Sequence, residues 1–132
     1  MGESEWQSIF ELPAFLSAVA AVHLARIFDH IVSHFSDPEL SLFKIAQSMR
    51  ISPRYVQRLL QTSGTSFVAH VNELRLKGAY MSLKGQPGEK VRISDIAFQS
   101  GFSDVSYFNR LFRSRFGHSP SDVRDTSRRS LN

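Results

Sequence analysis

The chain contains no cysteine. That excludes disulfide scaffolds, thiol nucleophiles and cysteine-based zinc sites, and it permits a reducing compartment. No run reaches the roughly 18 apolar residues of a membrane span. The apolar stretch at 12–25 is interrupted by Pro13 and Ser17, and Glu3, Glu5 and Glu11 precede it where a secretory signal would carry bases. A cytoplasmic, soluble protein is expected. Catalytic signatures are also missing: there is no GxGxxG, P-loop or HExxH, and no carboxylate pair in an apolar setting. An enzyme is not expected, and no cofactor is implied. No strand alternation is visible, which leaves an all-α class.

A length of 132 residues fits one domain, or two very small ones sharing a core. The net charge of +4 is unevenly placed. Residues 1–40 hold six acids (Glu3, Glu5, Glu11, Asp29, Asp37, Glu39) against one base, Arg26; residues 41–132 hold fifteen bases against six acids. The basic part also holds an internal repeat. Ile45-Ala46-Gln47-Ser48-Met49-Arg50-Ile51-Ser52 matches Ile96-Ala97-Phe98-Gln99-Ser100-Gly101-Phe102-Ser103. Each copy runs on into a second segment, Tyr55-Val56-Gln57-Arg58-Leu59-Leu60 or Tyr107-Phe108-Asn109-Arg110-Leu111-Phe112. A short helix, a tight turn and a longer helix with an exposed amide and Arg is the layout of a helix-turn-helix, whose second helix enters the DNA major groove. Positive charge coinciding with the repeat suits phosphate binding better than a merely solvated basic surface.

Along the chain, 1–11 reads as a leader and 13–22 as an apolar helix opened by Pro13. Apolar on nearly every side, that helix either folds back on the core or meets a partner subunit or a domain outside this chain. Leu24, Ile27, Phe28, Ile31 and Phe35 then form one stripe at helical spacing, ended by Asp37-Pro38. Ser41 is placed to cap a helix over 42–49, and Ser52-Pro53 to open one running to about Gln61, closed by Gly64. Residues 66–84 form a linker helix with a buried face of Phe67, Val71, Leu74, Ala79 and Leu83, leaving Arg75 and Lys77 outside it. Gly85-Gln86-Pro87-Gly88 is a hinge. Helices follow over 93–100 and 104–116, with a turn needing positive φ at Gly101 and a stop at Gly117; Ser119-Pro120 opens a last helix to about Arg128.

The expected architecture is two homeodomain-like helix-turn-helix units joined by a long linker helix, about seven helices in all. The divisions are 1–22 (leader and apolar helix), 23–85 (first unit with linker helix) and 86–132 (second unit and C-terminal helix). A linker of about 19 residues is a rod of roughly 28 Å, near the ~34 Å repeat of major-groove faces on one side of a duplex. One chain is therefore expected to read two adjacent grooves.

Ile96-Ala97, Gly101-Phe102-Ser103-Asp104, Ser106-Tyr107-Phe108, Arg110, Phe112, Phe116-Gly117, Ser119-Pro120 and Arg124 stand in the order and spacing of a known family. In these residues the chain resembles the C-terminal DNA-binding domain of the AraC/XylS transcription regulators. Leu40-Ser41, Ile45-Ala46, Ser52, Tyr55, Gln57-Arg58-Leu59 and Gly64 carry a looser match in the first unit, and Arg75-Leu76 with Ala79 matches the linker helix; coverage is about 24–127. The resemblance implies sequence-specific binding to promoter DNA, recruitment of RNA polymerase, and usually activation. Members of the family commonly carry a separate N-terminal domain that binds an effector and often dimerises; the chain is then either a small stand-alone regulator or the C-terminal fragment of a longer one, and the apolar helix at 13–22 favours the fragment.

Base readout is expected from exposed residues early in each second helix. The first unit offers Ser52, Arg54, Gln57 and Arg58, with Pro53 beside them; the second offers Val105, Ser106, Asn109 and Arg110. Arg pairs with guanine O6/N7, Gln or Asn with adenine N6/N7, and Val can touch a thymine methyl. Asp104 is read as a helix N-terminal residue. Lys44, Lys90, Arg92, Ser103, Arg113 and Arg115 are the phosphate candidates. With two Arg and a Gln, the first unit is expected to supply more base specificity. Arg92 stands where Ser41 caps the first unit, so the second unit's first helix lacks an evident side-chain cap. Ile45, Ile96, Phe102, Phe108, Phe112 and Phe116 are expected in the core. His23, His30 and His34 share a helical stripe at spacings a metal could use, but no carboxylate completes the set and no metal is assigned. The alternative function is a protein–protein interaction module with weak nonspecific DNA binding.

Overall fold

The computed structural model describes residues 14–85 and 91–129. Among these residues the chain forms seven helices and no strand: α1 (Ala14–His34), α2 (Leu42–Met49), α3 (Pro53–Thr62), α4 (Phe67–Gly85), α5 (Ile93–Gln99), α6 (Val105–Phe116) and α7 (Pro120–Arg129). No described helix is long and apolar enough to cross a membrane. The leader at 1–11, Pro13, the hinge residues 86–88 and Lys90 lie outside the described residues.

The helices fall into two compact units. The first holds the described residues up to His34 together with Leu40–His70; the second holds Phe35–Glu39 and the described residues from Val71 onward. In the first, α1 and α2 pack on α3. Their inward positions are Ala20, Ile27 and Ile31, then Ile45, Ala46 and Met49, then Val56, Leu59 and Leu60, all buried. Spacings of three and four place each set on one helical face. Burying each large aliphatic side chain is worth roughly 1.5–3 kcal/mol. On α1, Val19 and Val22 remain exposed.

The second unit is built on rings. Phe102, Phe108 and Phe112 are buried with Leu76, Ala79, Leu83, Ile96, Ala97 and Val123. Successive ring centroids lie 5.0 Å apart for Phe102–Phe108, 5.6 Å for Phe108–Phe112 and 4.7 Å for Phe112–Phe116. Tyr80 closes the row at 4.7 Å from Phe116, which is half-buried. Such tilted pairs add about 0.5–1.5 kcal/mol each beyond area burial.

Three local expectations need correction. First, α1 ends at His34, short of Asp37-Pro38; Asp37 instead folds the following turn, its Oδ1 accepting the Glu39 N–H at 2.9 Å. Second, the buried face of α4 is Val71, Leu76, Ala79 and Leu83, while Phe67 and Leu74 are half-buried. Third, Arg75 is not outside the packed face. Its Nε donates to the Phe35 carbonyl at 2.6 Å and its Nη2 to the Asp37 carbonyl at 2.9 Å. Carbonyls just past a helix end have no intrahelical donor, and a forked guanidinium satisfies two at once. Burial pulls the Arg75 pKa down, opposed by the charge of Asp37.

Candidate nucleic-acid interface

Each unit contains the same helix-reversing turn. In the first, Arg50 N–H donates to Gln47 O at 3.2 Å and Ile51 N–H to Ala46 O at 3.1 Å; in the second, Gly101 N–H donates to Phe98 O at 3.1 Å and Phe102 N–H to Ala97 O at 2.9 Å. These paired bonds are a Schellman closure, with the pivot residue at positive φ. The pivots are Arg50 at φ 57° and Gly101 at φ 106°. Only the second pivot must be glycine. A Cβ on Gly101 would lie 2.5 Å from the Phe35 carbonyl oxygen and 2.6 Å from Arg75 Nε.

After the turn, a side-chain oxygen caps each recognition helix. Ser52 Oγ accepts the Tyr55 N–H at 3.1 Å, and Asp104 Oδ1 accepts the Tyr107 N–H at 3.1 Å. The repeat therefore slips by one residue across the turn: Asp104, not Ser103, is the counterpart of Ser52. Ser41 Oγ caps α2 through the Lys44 N–H at 3.1 Å, whereas Arg92 at the start of α5 makes no side-chain cap.

Apart from Val105, the base-readout candidates within each recognition helix share one side of it. On α3, Arg54 and Gln57 are exposed and Arg58 is half-buried, opposite buried Val56, Leu59 and Leu60. Ser52 is exposed, although its oxygen is already engaged as the cap. On α6, Ser106, Asn109 and Arg110 are exposed, opposite Phe108 and Phe112. Val105 is half-buried and packs against the second unit's core, which limits its reach toward a base. The Arg110 guanidinium sits 5.9 Å from the Tyr107 ring centroid, within cation–π range.

Of the phosphate candidates, Lys44, Arg92, Ser103 and Arg113 are exposed. Arg115 is already paired. Its Nε lies 3.0 Å from both carboxylate oxygens of Glu73, and its Nη2 lies 2.9 Å from Oε1. A phosphate would have to compete with that fork. The hydrogen bond from Arg115 holds the Glu73 carboxyl below its ordinary pKa, and Glu73 raises that of Arg115 in turn.

Two contacts were not expected. The ring Nδ1 of His23, on α1, is 3.0 Å from the hydroxyl of Tyr55. The Nδ2 of Asn72, on α4, donates to the hydroxyl of Tyr107 at 2.8 Å. These partners are 32 and 35 residues apart, so no local pattern reveals them; only the alignment of Tyr55 with Tyr107 points to them. His30 and His34 are occupied with each other, stacked at 6.1 Å, with His34 Nδ1 2.9 Å from the His30 carbonyl oxygen. Among the described residues, no group of three or more His, Asp or Glu is placed to hold a metal ion.

Comparison with known proteins places this geometry in a family. A family model described as a helix-turn-helix domain matches residues 45–126. The transcriptional activator RhrA of Rhizobium meliloti (strain 1021) is 41% identical over 101 residues, which is 76% of this chain and 32% of RhrA. The chain spans about a third of the length of the curated relatives it matches. The C-terminal domain of AraT, a response regulator from Geobacillus stearothermophilus, superposes with a TM-score of 0.70 at 30% identity, covering 79% of this chain and 84% of that one. A structure assigned to the AraC family, from Rhodopseudomonas palustris CGA009, shares the fold with a TM-score of 0.72 at 24% identity, covering 80% of this chain and 97% of its own. The paired turns, the capped recognition helices and these relatives agree: the chain belongs to the AraC/XylS family of transcription regulators and carries its helix-turn-helix domain.

Proposed function

We propose that this chain binds promoter DNA sequence-specifically, reading two adjacent major-groove segments with α3 and α6. The observation that carries the reading is the pair of capped recognition helices, each presenting an amide and an Arg away from its buried face: Gln57 with Arg58, and Asn109 with Arg110. Gln57 and Asn109 suit adenine; Arg54, Arg58 and Arg110 suit guanine. Lys44, Arg92 and Arg113 supply sequence-independent attraction to phosphates. RhrA is named a transcriptional activator, and by that kinship we assign this protein the same sign of regulation, with RNA polymerase as its protein partner. An effector-binding or dimerising domain in the longer protein is part of the same proposal.

The test is selection of duplexes from a random pool by the purified chain at about 0.15 M salt, near physiological ionic strength. Enrichment of two short blocks about one helical turn apart is expected. Arg58→Ala and Arg110→Ala should each cost about 1–3 kcal/mol at their own block while leaving the fold intact. Mutating the site base by base should show the block under the first unit to be the more sensitive. Binding that depends on salt without any enriched sequence would instead favour a nonspecific interaction module.

A further inference from the structure

The two unexpected hydrogen bonds are one device used twice. Tyr55 and Tyr107 occupy the same place, third in their recognition helices, each with its backbone N–H on the capping oxygen of Ser52 or Asp104. The hydroxyl at the far end of each ring is held from the long helix that precedes the unit's own helix-turn-helix, by His23 of α1 or by Asn72 of α4. The partner atoms are matched in position. Imidazole Nδ1 and amide Nδ2 are both bonded directly to Cγ, so they project the same distance from their backbones. His23 and Tyr55 also meet edge to face, with centroids 5.4 Å apart and an interplanar angle of 86°.

Each recognition helix is seated by its buried face, Val56, Leu59 and Leu60 on α3 and Phe108 and Phe112 on α6, which sets its roll to within the play of packed side chains. A directional hydrogen bond at the tip of a rigid ring, off the helix axis, narrows that play. The roll matters because Arg58 and Arg110 each lie three residues beyond the tyrosine, on the same side of the helix. In the second unit the ring itself is the platform under the Arg110 guanidinium. Bidentate recognition of guanine tolerates little angular error, so the restraint bears on discrimination between bases more than on attraction to phosphate.

We infer that His23 and Asn72 are equivalent positioning residues, each fixing through a tyrosine hydroxyl the roll of one recognition helix and so the base preference of the Arg one turn further on. The inference rests on the DNA-reading function proposed above. Selection from the same random pool, run in parallel with the wild-type chain, Tyr55→Phe, Tyr107→Phe, His23→Leu and Asn72→Leu, separates the two ideas. The expected result is a loss of base discrimination of about threefold to tenfold, the range of one hydrogen bond. It should be confined to one block for Tyr55→Phe and His23→Leu and to the other for Tyr107→Phe and Asn72→Leu. His23→Asn and Asn72→His should keep the wild-type preference, because each retains a nitrogen on Cγ.

A merely structural role would lower the thermal midpoint and weaken binding to all duplexes evenly; that pattern overturns the inference. So does an unchanged preference in both Tyr→Phe variants while the wild-type chain enriches a site. If the wild-type chain enriches no site, the DNA reading itself fails, and the inference fails with it.

Discussion

The two helix-turn-helix units close their turns with the same pair of backbone hydrogen bonds, yet one pivots on arginine and the other on glycine. Arg50, at φ 57°, sits in the ordinary left-handed region and faces solvent. Gly101, at φ 106°, is buried beneath the Phe35 carbonyl and the Arg75 side chain. The cores differ in parallel: Ile27, Ile31, Ile45, Val56, Leu59 and Leu60 fill the first unit, and Phe102, Phe108 and Phe112 the second. The backbone motif makes the turn, while what packs against it decides whether a side chain is permitted. A repeat can therefore keep its geometry while its sequence drifts wherever the turn faces water.

The sharpest way to break this comparison is Gly101→Ala. Left-handed strain of about 1–2 kcal/mol adds to overpacking of about 1–3 kcal/mol, so a loss of roughly 2–5 kcal/mol is expected in denaturant unfolding. Gly64→Ala is the control, because Gly64 has positive φ but a Cβ there would meet nothing within 4 Å; it should lose only the strain. Equal losses at both sites would mean that Phe35 and Arg75 move aside freely, and the contrast between the pivots would fall.

A smaller effect is expected at the start of each unit's first helix. Arg92→Ser should give α5 the cap that Ser41 gives α2 and stabilise the chain by about 1 kcal/mol, read as a raised unfolding midpoint. No change would mean that the first N–H groups of α5 are already satisfied, and the two helix starts would then be energetically alike.

The smallest effect concerns the Glu73–Arg115 pair of the second unit. The folded-state pKa of Glu73 is depressed by its hydrogen bond from Arg115. Its contribution is therefore complete above the unfolded glutamate pKa and is lost as pH falls through the lowered folded value. The pair is partly exposed, so solvent screening keeps the contribution modest. Acid titration followed by NMR should show the Glu73 carboxyl protonating below ordinary glutamates, with Arg115→Gln moving it back up. An unshifted titration in the wild-type chain would remove the pair from the account.

Much of the fold was legible locally. Ser41 and Ser52 announce helix starts because a short side-chain oxygen fits the free N–H groups of a first turn. Ile45, Ile96, Phe108 and Phe112 announce the buried faces by their spacing. The candidate base readers Arg54, Gln57, Asn109 and Arg110 follow from the same arithmetic, as exposed positions opposite a buried stripe. Arg75 was misplaced because a charged side chain in a helix is ordinarily solvated, and nothing near it in sequence shows that carbonyls about 40 residues earlier will meet it. Arg115 read as a free cation for the same reason, since its Glu73 partner is 42 residues away.

By itself the sequence determined most helix spans among the described residues, the caps at Ser41 and Ser52, the stop at Gly117, the two turns, and which face of α3 and α6 stays open, because all of these depend on residues within a turn or two of one another. Only the tertiary structure decided that Gly101 must be glycine, that Arg75 and Arg115 are engaged, and that His23 and Asn72 meet the hydroxyls of Tyr55 and Tyr107. Those outcomes depend on which distant backbone and side-chain atoms come within about 3 Å, the reach of a hydrogen bond, and no local period encodes that.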